Sequence, residues 1–260
     1  KRHCLRKTEG GAAKHETTQK QKGREAMARS SRSRLPGMSR AAKIAGWCYL
    51  PVYLVGLNVL LGWLNDALRL GMDGVTLNIV YFAVNLAAVL IIFHSFLRQP
   101  FFGSGFWDFL QALILGAAIH YGGTFVIDWA AQRLSISLTL FNNDTVSELL
   151  TGGGTVMTLA TVLAAPIIEE TLVRGLVFGS IQPTSRVMAY LVSVILFTLM
   201  HNWQYFMLYP AGKVLLSCIP YLPASVALAW TYEKAGTIWA SISLHAIVNA
   251  LSFGLLQLNF

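Results

Sequence analysis

From residue 45 onward the chain alternates long apolar blocks with short polar breaks. About 20 predominantly apolar residues on a helix cross the hydrocarbon core of a bilayer. The blocks fall at roughly 45–64, 75–97, 106–131, 155–180, 187–208, 214–231 and 237–258, which predicts seven transmembrane helices. Membrane barrels are built from strands of about 10 alternating residues, and these blocks are too long and too uniform for that. No repeat of fixed period is visible, which counts against an inverted-repeat transporter without removing it. The expected fold class is all-α: a polytopic transmembrane helical bundle of about seven spans.

Composition supports this reading, since 55% of the 260 residues are hydrophobic and only 12% are charged. Charge changes the picture at one end. Residues 1–43 hold 13 of the 20 Lys and Arg but three of the 12 acids, so this segment is a basic tail and residues 44–260 form the transmembrane domain. The tail lacks apolar periodicity and reads as disordered. Beside an apolar body, its charge is better explained by retention on the cytoplasmic side than by nucleic-acid binding. Within it, "KGREAM" at 22–27 reads two ways. Residues 1–26 are either an ordinary basic tail or translated upstream sequence ahead of Met27, with the purine-rich codons of a ribosome-binding site.

With the tail inside, "RQPFFGSG", "QPTSR" and "EKAG" fall on the cytoplasmic side, and "NDALRLGMDG", "QRLSISLTLFNNDTVSELLTGGG" and "YPAGK" fall outside. The three cysteines, Cys4, Cys48 and Cys218, form neither a CxxC pair nor an even framework, so redox and cysteine-metal chemistry drop out.

A charged side chain at a bilayer midplane costs on the order of 2.5–3.5 kcal/mol, so polar residues inside the blocks require a reason. Three polar groups stand in the four C-terminal spans: "EETLVR" at 169–174, "FTLMH" at 197–201 and "HAIVN" at 245–249. Glu170 and Arg174 are four apart on a helix and can pair, in the favoured order with the acid first. Glu169 points about 100° away and is left over. A carboxylate in low dielectric needs a polar or cationic partner, and His201 and His245 are available. His245 and Asn249, also four apart, share one helix face. Each group alone is compatible with helix packing, but together an unpaired Glu, two His and an Asn on three spans point to chemistry.

Other polar positions carry less. His94 ends "LIIFHSFLR" and is expected at headgroup depth, and His120 in "GAAIHYGG" is expected to be a satisfied interhelical donor. "NWQYFMLYP" at 202–210 reads as an interfacial aromatic belt. "TGGGT" is no phosphate loop, HExxH is absent, and so are GxSxG and a Gly-x-Gly-Asp stretch.

With these motifs in order, residues 140–255 resemble the CPBP family of intramembrane proteases, which includes CAAX-processing enzymes and bacteriocin-processing or immunity proteins. The family pattern of EExxxR, then FxxxH, then HxxxN or HxxxD is complete here. The resemblance implies hydrolysis of a peptide bond within the bilayer, with the substrate a membrane-associated peptide or protein. By match, Glu169 would be the principal carboxylate, with Glu170 and Arg174 supporting it. His201 would hold or activate water, and His245 with Asn249 would contact the reacting oxygen. Glu169, His201 and His245 would also supply three ligands of the kind catalytic zinc accepts. The same three can act unaided, and both alternatives stay open at this point. The expected setting is the bacterial inner membrane, multi-pass, tail cytoplasmic, with cleavage in the cytoplasmic half of the bilayer. The rival readings are a non-proteolytic immunity or scaffold protein of the same family, and a proton-coupled transporter.

Overall fold

The structure is a computed structural model that describes residues 35–254. Most of the basic tail, the two readings of residues 1–26, and the end of the seventh apolar block lie outside the described residues. Seven apolar helices follow one another: α1 (Arg40–Ala67), α2 (Gly74–Ile92), α3 (Phe106–Arg133), α4 (Phe141–Ile181), α5 (Arg186–Met200), α6 (Ala211–Ala235) and α7 (Ile238–Ser252). The chain is an all-helical membrane bundle, and no strand occurs among the described residues.

Helix starts follow capping chemistry. Ser39, Asp73 and Ser185 each accept a hydrogen bond from a backbone amide three residues on, at Ala42, Thr76 and Met188. At Asp73, which lies outside the spans, the Thr76 amide holds the carboxyl below the usual carboxylate range. α6 ends on Gly236, whose φ of 67° is the left-handed cap that only glycine adopts freely, with its amide on the Tyr232 carbonyl. Pro51 sits inside α1, where it has no amide to give the helix, and a π-helical turn at Val52–Gly56 follows it.

Two boundaries differ from the sequence expectation. The fifth apolar block was expected to run to residue 208, yet α5 stops at Met200 and gives way to a 3-10 turn at Trp203–Met207. Asn202 donates its side-chain amide to the Thr198 carbonyl and accepts from Ser217 Oγ at 2.7 Å, which terminates the helix inside the protein. The stretch after α3, expected to be an outside loop, is helical from Phe141. The hydroxyls of Thr145, Ser147 and Thr151 bond back to carbonyls four residues earlier. The break expected at 155 is real but local: Gly154, at φ 53° and ψ −140°, kinks α4 between this amphipathic first part and the buried second part.

The seven helices alternate between two faces. On the face where the chain enters at Leu35, the turns at 98–105, 182–185 and 236–237 interlock. Thr237 Oγ1 donates to the Pro100 carbonyl at 2.9 Å, the Ile238 amide donates to Gln99 Oε1 at 3.0 Å, and Arg186 pairs with Glu233. The opposite face carries 68–73, 134–140 and 201–210, where Tyr205 donates to the Phe141 carbonyl and Tyr221 to Asn143. Between the faces, Phe93, Leu172, Leu176, Phe178, Tyr232 and Ile238 form the main core. Outward-facing Ile91 and Phe125, 74% and 71% exposed, are accounted for by lipid contact.

Candidate active site

The second part of α4 carries two widened, π-helical stretches, Ala160–Ala164 and Thr171–Phe178, with a single α-helical turn, Ala165–Glu170, between them. Such stretches accumulate at functional sites because they re-aim side chains and free backbone groups. Here the intervening turn presents Glu169 and Glu170 in different directions.

Glu170 is fully buried and both of its oxygens are addressed. Arg174 Nη1 donates to its Oε1 at 3.1 Å, His245 Nδ1 donates to the same oxygen at 2.9 Å, and Ser241 Oγ donates to Oε2. Arg174, also at 0% exposure, gives both Nη2 protons to Ser225, to its carbonyl at 2.9 Å and its hydroxyl at 3.0 Å. Its guanidinium lies 4.3 Å over the Phe197 ring. A charge taken out of water is tolerated only with this degree of pairing. Glu170 and Arg174 therefore form a structural anchor between α4, α6 and α7.

Glu169 is the opposite case. Its Oε2 is buried with no hydrogen-bond partner. Two imidazoles face that oxygen through Nε2, His201 at 3.6 Å and His245 at 4.0 Å. The far nitrogen of each ring is tied down: His201 Nδ1 lies 2.8 Å from the Phe197 carbonyl and His245 Nδ1 lies on Glu170. A carbonyl and a carboxylate only accept, so Nδ1 carries the proton in both rings and Nε2 of the neutral ring is an acceptor. Three acceptors thus converge on one point, an arrangement that suits a small molecule with protons to donate.

Asn249 stands one turn beyond His245, in the same cavity but apart from the imidazoles. Its Nδ2 donates to the Thr161 carbonyl in the first widened stretch, at 3.0 Å. Of the six residues singled out in the sequence, Glu169, His201, His245 and Asn249 line one cavity, and Glu170 and Arg174 are packed in the protein behind it.

The cavity measures about 600 Å³. It runs from Glu169, His245, Phe197 and Leu228 past Tyr53, Tyr81 and His120 to Asn58, Asn78, Asp128, Asn142 and Gln204. The mouth therefore lies away from the tail's face.

Sequence reasoning missed several wall residues. His120 is not the satisfied donor expected, because its Nδ1 is buried without a partner on the cavity wall. Its lone position in "GAAIHYGG" offered no spacing to connect it to the motifs. Tyr221 stacks on His201 at 5.0 Å between centroids and donates to Asn143, linking the site to the first part of α4. Phe197 was visible only as the first letter of a motif, yet its ring supports Arg174 and its carbonyl orients His201. The aromatic run at 202–210 is belt-like at exposed Met207 and Leu208, but Asn202 and Tyr205 turn inward.

Among the described residues no three His, Cys, Asp or Glu side chains are closed around a point as a bound metal ion needs. The gaps of 3.6 and 4.0 Å from Glu169 to the imidazoles compare with roughly 3.3 Å between neighbouring ligands of one tetrahedral zinc.

Comparison with known proteins bears on the same stretch. Residues 151–251 match the family model described as Type II CAAX prenyl endopeptidase Rce1-like. This segment is similar to the Rce1-like domain. The matched stretch contains all three motifs and every residue of the Glu169 cluster, and its apolar helices make the chain a multi-pass membrane protein. The UPF0177 protein YxdF of Lactococcus lactis subsp. lactis (strain IL1403) is 33% identical over 88 residues, 34% of this chain and 42% of that protein. The chain thus aligns with less than half the length of that relative. No solved structure matches the chain.

Proposed function

We propose that this Rce1-like protein is an intramembrane endopeptidase that hydrolyses a peptide bond of a membrane-associated peptide or protein with water activated by Glu169 and the two histidines. The observation that carries this is the unpartnered, buried Oε2 of Glu169 facing two imidazoles, each fixed through its other nitrogen. Water donates one proton to Glu169 and the other to an Nε2. As its oxygen attacks the carbonyl carbon, Glu169 takes the first proton. The carbonyl π pair becomes an oxyanion, and Glu169 delivers its proton to the leaving amine as the C–N bond breaks. The family pattern assigns His245 and Asn249 to that oxyanion: Asn249 keeps a second Nδ2 proton to donate beside the one on the Thr161 carbonyl, and His245 donates from Nε2 once that nitrogen has taken the proton from water.

Glu169, His201 and His245 are also donors of the type zinc takes, and a zinc ion held there would supply Lewis-acid polarisation and a more acidic water. We read the site as working without it, because Glu169 as base suffices for the proton transfers. The setting is the bacterial cell membrane, with the basic tail on the cytoplasmic side and lipid as the surrounding partner.

The test is purified protein in detergent, incubated with a library of membrane peptides. Glu169→Gln is expected to lower turnover by at least about 10²–10⁴, the usual worth of a general base, while leaving the melting temperature unchanged. Turnover is expected to survive exhaustive chelation. Cleavage by Glu169→Gln at the wild-type rate would end the mechanism. Loss on chelation with recovery on added zinc would reassign the three donors as metal ligands.

A further inference from the structure

The cavity has a floor and a mouth, and they lie on opposite faces. Between Glu169 and the tail's face, Leu172, Arg174, Leu176, Phe178, Tyr232 and Ile238 are all at 0% exposure. Among the described residues, none of these six lines the cavity. Away from it, the cavity continues to Asn142 and Gln204, beside the turns at 134–140 and 201–210.

Charge separates the same two faces. The tail's face carries Arg40, Lys43, Arg98, Arg186 and Lys234 against Asp108 and Glu233. The mouth's face carries Arg69, Arg133 and Lys213 against Asp66, Asp73, Asp128, Asp144 and Glu148. In addition, Arg29, Arg32 and Arg34, which belong to the chain on either reading of residues 1–26, come immediately before the chain enters on the first face. Lysine and arginine near span ends are retained on the cytoplasmic side, and Asp and Glu contribute little to that choice. By this count the face with the sealed floor is cytoplasmic.

We infer that the scissile segment reaches Glu169 from the extracytoplasmic side, so that the substrates are polypeptide segments exposed at the outer surface of the membrane and not cytoplasmic tails. This rests on the endopeptidase reading for the word substrate, but the geometry of access stands by itself. The cavity wall suits a polypeptide: side-chain amides at Asn58, Asn78, Asn142 and Gln204 can each both donate to and accept from a peptide backbone.

The experiment uses the full chain with Cys4, Cys48 and Cys218 changed to Ser, in its host membrane. Single cysteines are then placed at three positions. Gln204→Cys reports the mouth. Thr161→Cys reports the depth, since its hydroxyl is buried without a partner and the change is nearly isosteric. Gly37→Cys reports the tail's face, where a side chain meets nothing within 4 Å. Intact cells receive a charged, membrane-impermeant methanethiosulfonate. Gln204→Cys and Thr161→Cys are expected to react in intact cells, and Gly37→Cys only after permeabilisation. Gly37→Cys reacting in intact cells while Gln204→Cys does not would overturn the assigned side. Thr161→Cys protected under both conditions, in protein whose melting temperature is unchanged, would overturn the continuous path. Because labelling needs no turnover and can be repeated on Glu169→Gln, its failure is separate from failure of the hydrolase reading.

Discussion

Two neighbouring carboxylates on one helical turn are held in opposite states. Glu170 accepts from Arg174, His245 and Ser241, whereas Glu169 Oε2 accepts from nothing. The division of labour follows from direction alone, since a step of one residue turns a side chain by about 100°. Arg174 is the residue on which this division depends for stability. Removing one partner of a buried pair leaves the other charge uncompensated, at a cost of about 3–5 kcal/mol. Arg174→Ala is therefore expected to lower the thermal midpoint in detergent sharply. Adding Glu170→Gln removes the stranded charge, and the double variant is expected to be more stable than Arg174→Ala alone. If the two changes simply add, the guanidinium matters for its stacking on Phe197 and its bonds to Ser225, and the ion pair is incidental.

At the scale of elements, helices in lipid gain little from hydrophobic burial against each other and depend on close packing of small residues. Gly116 on α3 is such a point: a side-chain carbon there would overlap Thr231 Oγ1 of α6 and come within 2.8 Å of Leu244 Cδ2 of α7. Gly116→Leu is expected to destabilise the bundle by roughly 1–3 kcal/mol through overpacking. Gly122, on the same helix with nothing within 4 Å, supplies the control, and Gly122→Leu should leave the midpoint unchanged or raise it slightly. Equal losses at both positions would mean that α3 responds to bulk anywhere along it. The same contrast shows what a sequence makes legible. Seven apolar blocks, the Glu170–Arg174 spacing and the shared face of His245 and Asn249 are periodic signals, and periodicity reports which way a residue points within its own helix. It does not report how one helix is rotated against the next, which is why His120 went unconnected to the motifs. Nor does it mark the extra residue per turn at Ala160–Ala164 that brings the Thr161 carbonyl to Asn249. The helix that begins at Phe141 was nevertheless written in the spacing of its cavity-lining residues Asn142, Thr145, Val146 and Leu149, a three-four pattern obscured by the polar letters between them.

The whole molecule couples a rigid end to an open end. Turns on the tail's face are locked by Thr237 on Pro100, Ile238 on Gln99 and Arg186 on Glu233, above a floor that excludes water. The opposite end is tied more sparsely, through Tyr205 and Tyr221 to the first part of α4, and that part is joined to the rest of its helix by the kink at Gly154. A hydrolase in lipid needs this asymmetry, because water and a polypeptide must reach Glu169 while the charged anchor beneath it stays dry. Local opening is easiest where buried contacts are few and backbone bonds meet solvent. Amide hydrogen exchange in detergent is therefore expected to be slow along Thr171–Phe178, where every residue is buried, and faster along residues 141–153, where Asp144, Ser147 and Glu148 are exposed. Replacing Gly154 by Ala puts a side chain at φ 53° and ψ −140°, a conformation unfavourable for any residue but glycine. This change is expected to speed exchange in the first part of α4 while leaving Thr171–Phe178 as slow as before. Faster exchange in both segments would show that the kink also supports the floor, and the molecule would then have a single cooperative unit where a fixed base and a movable roof are argued here.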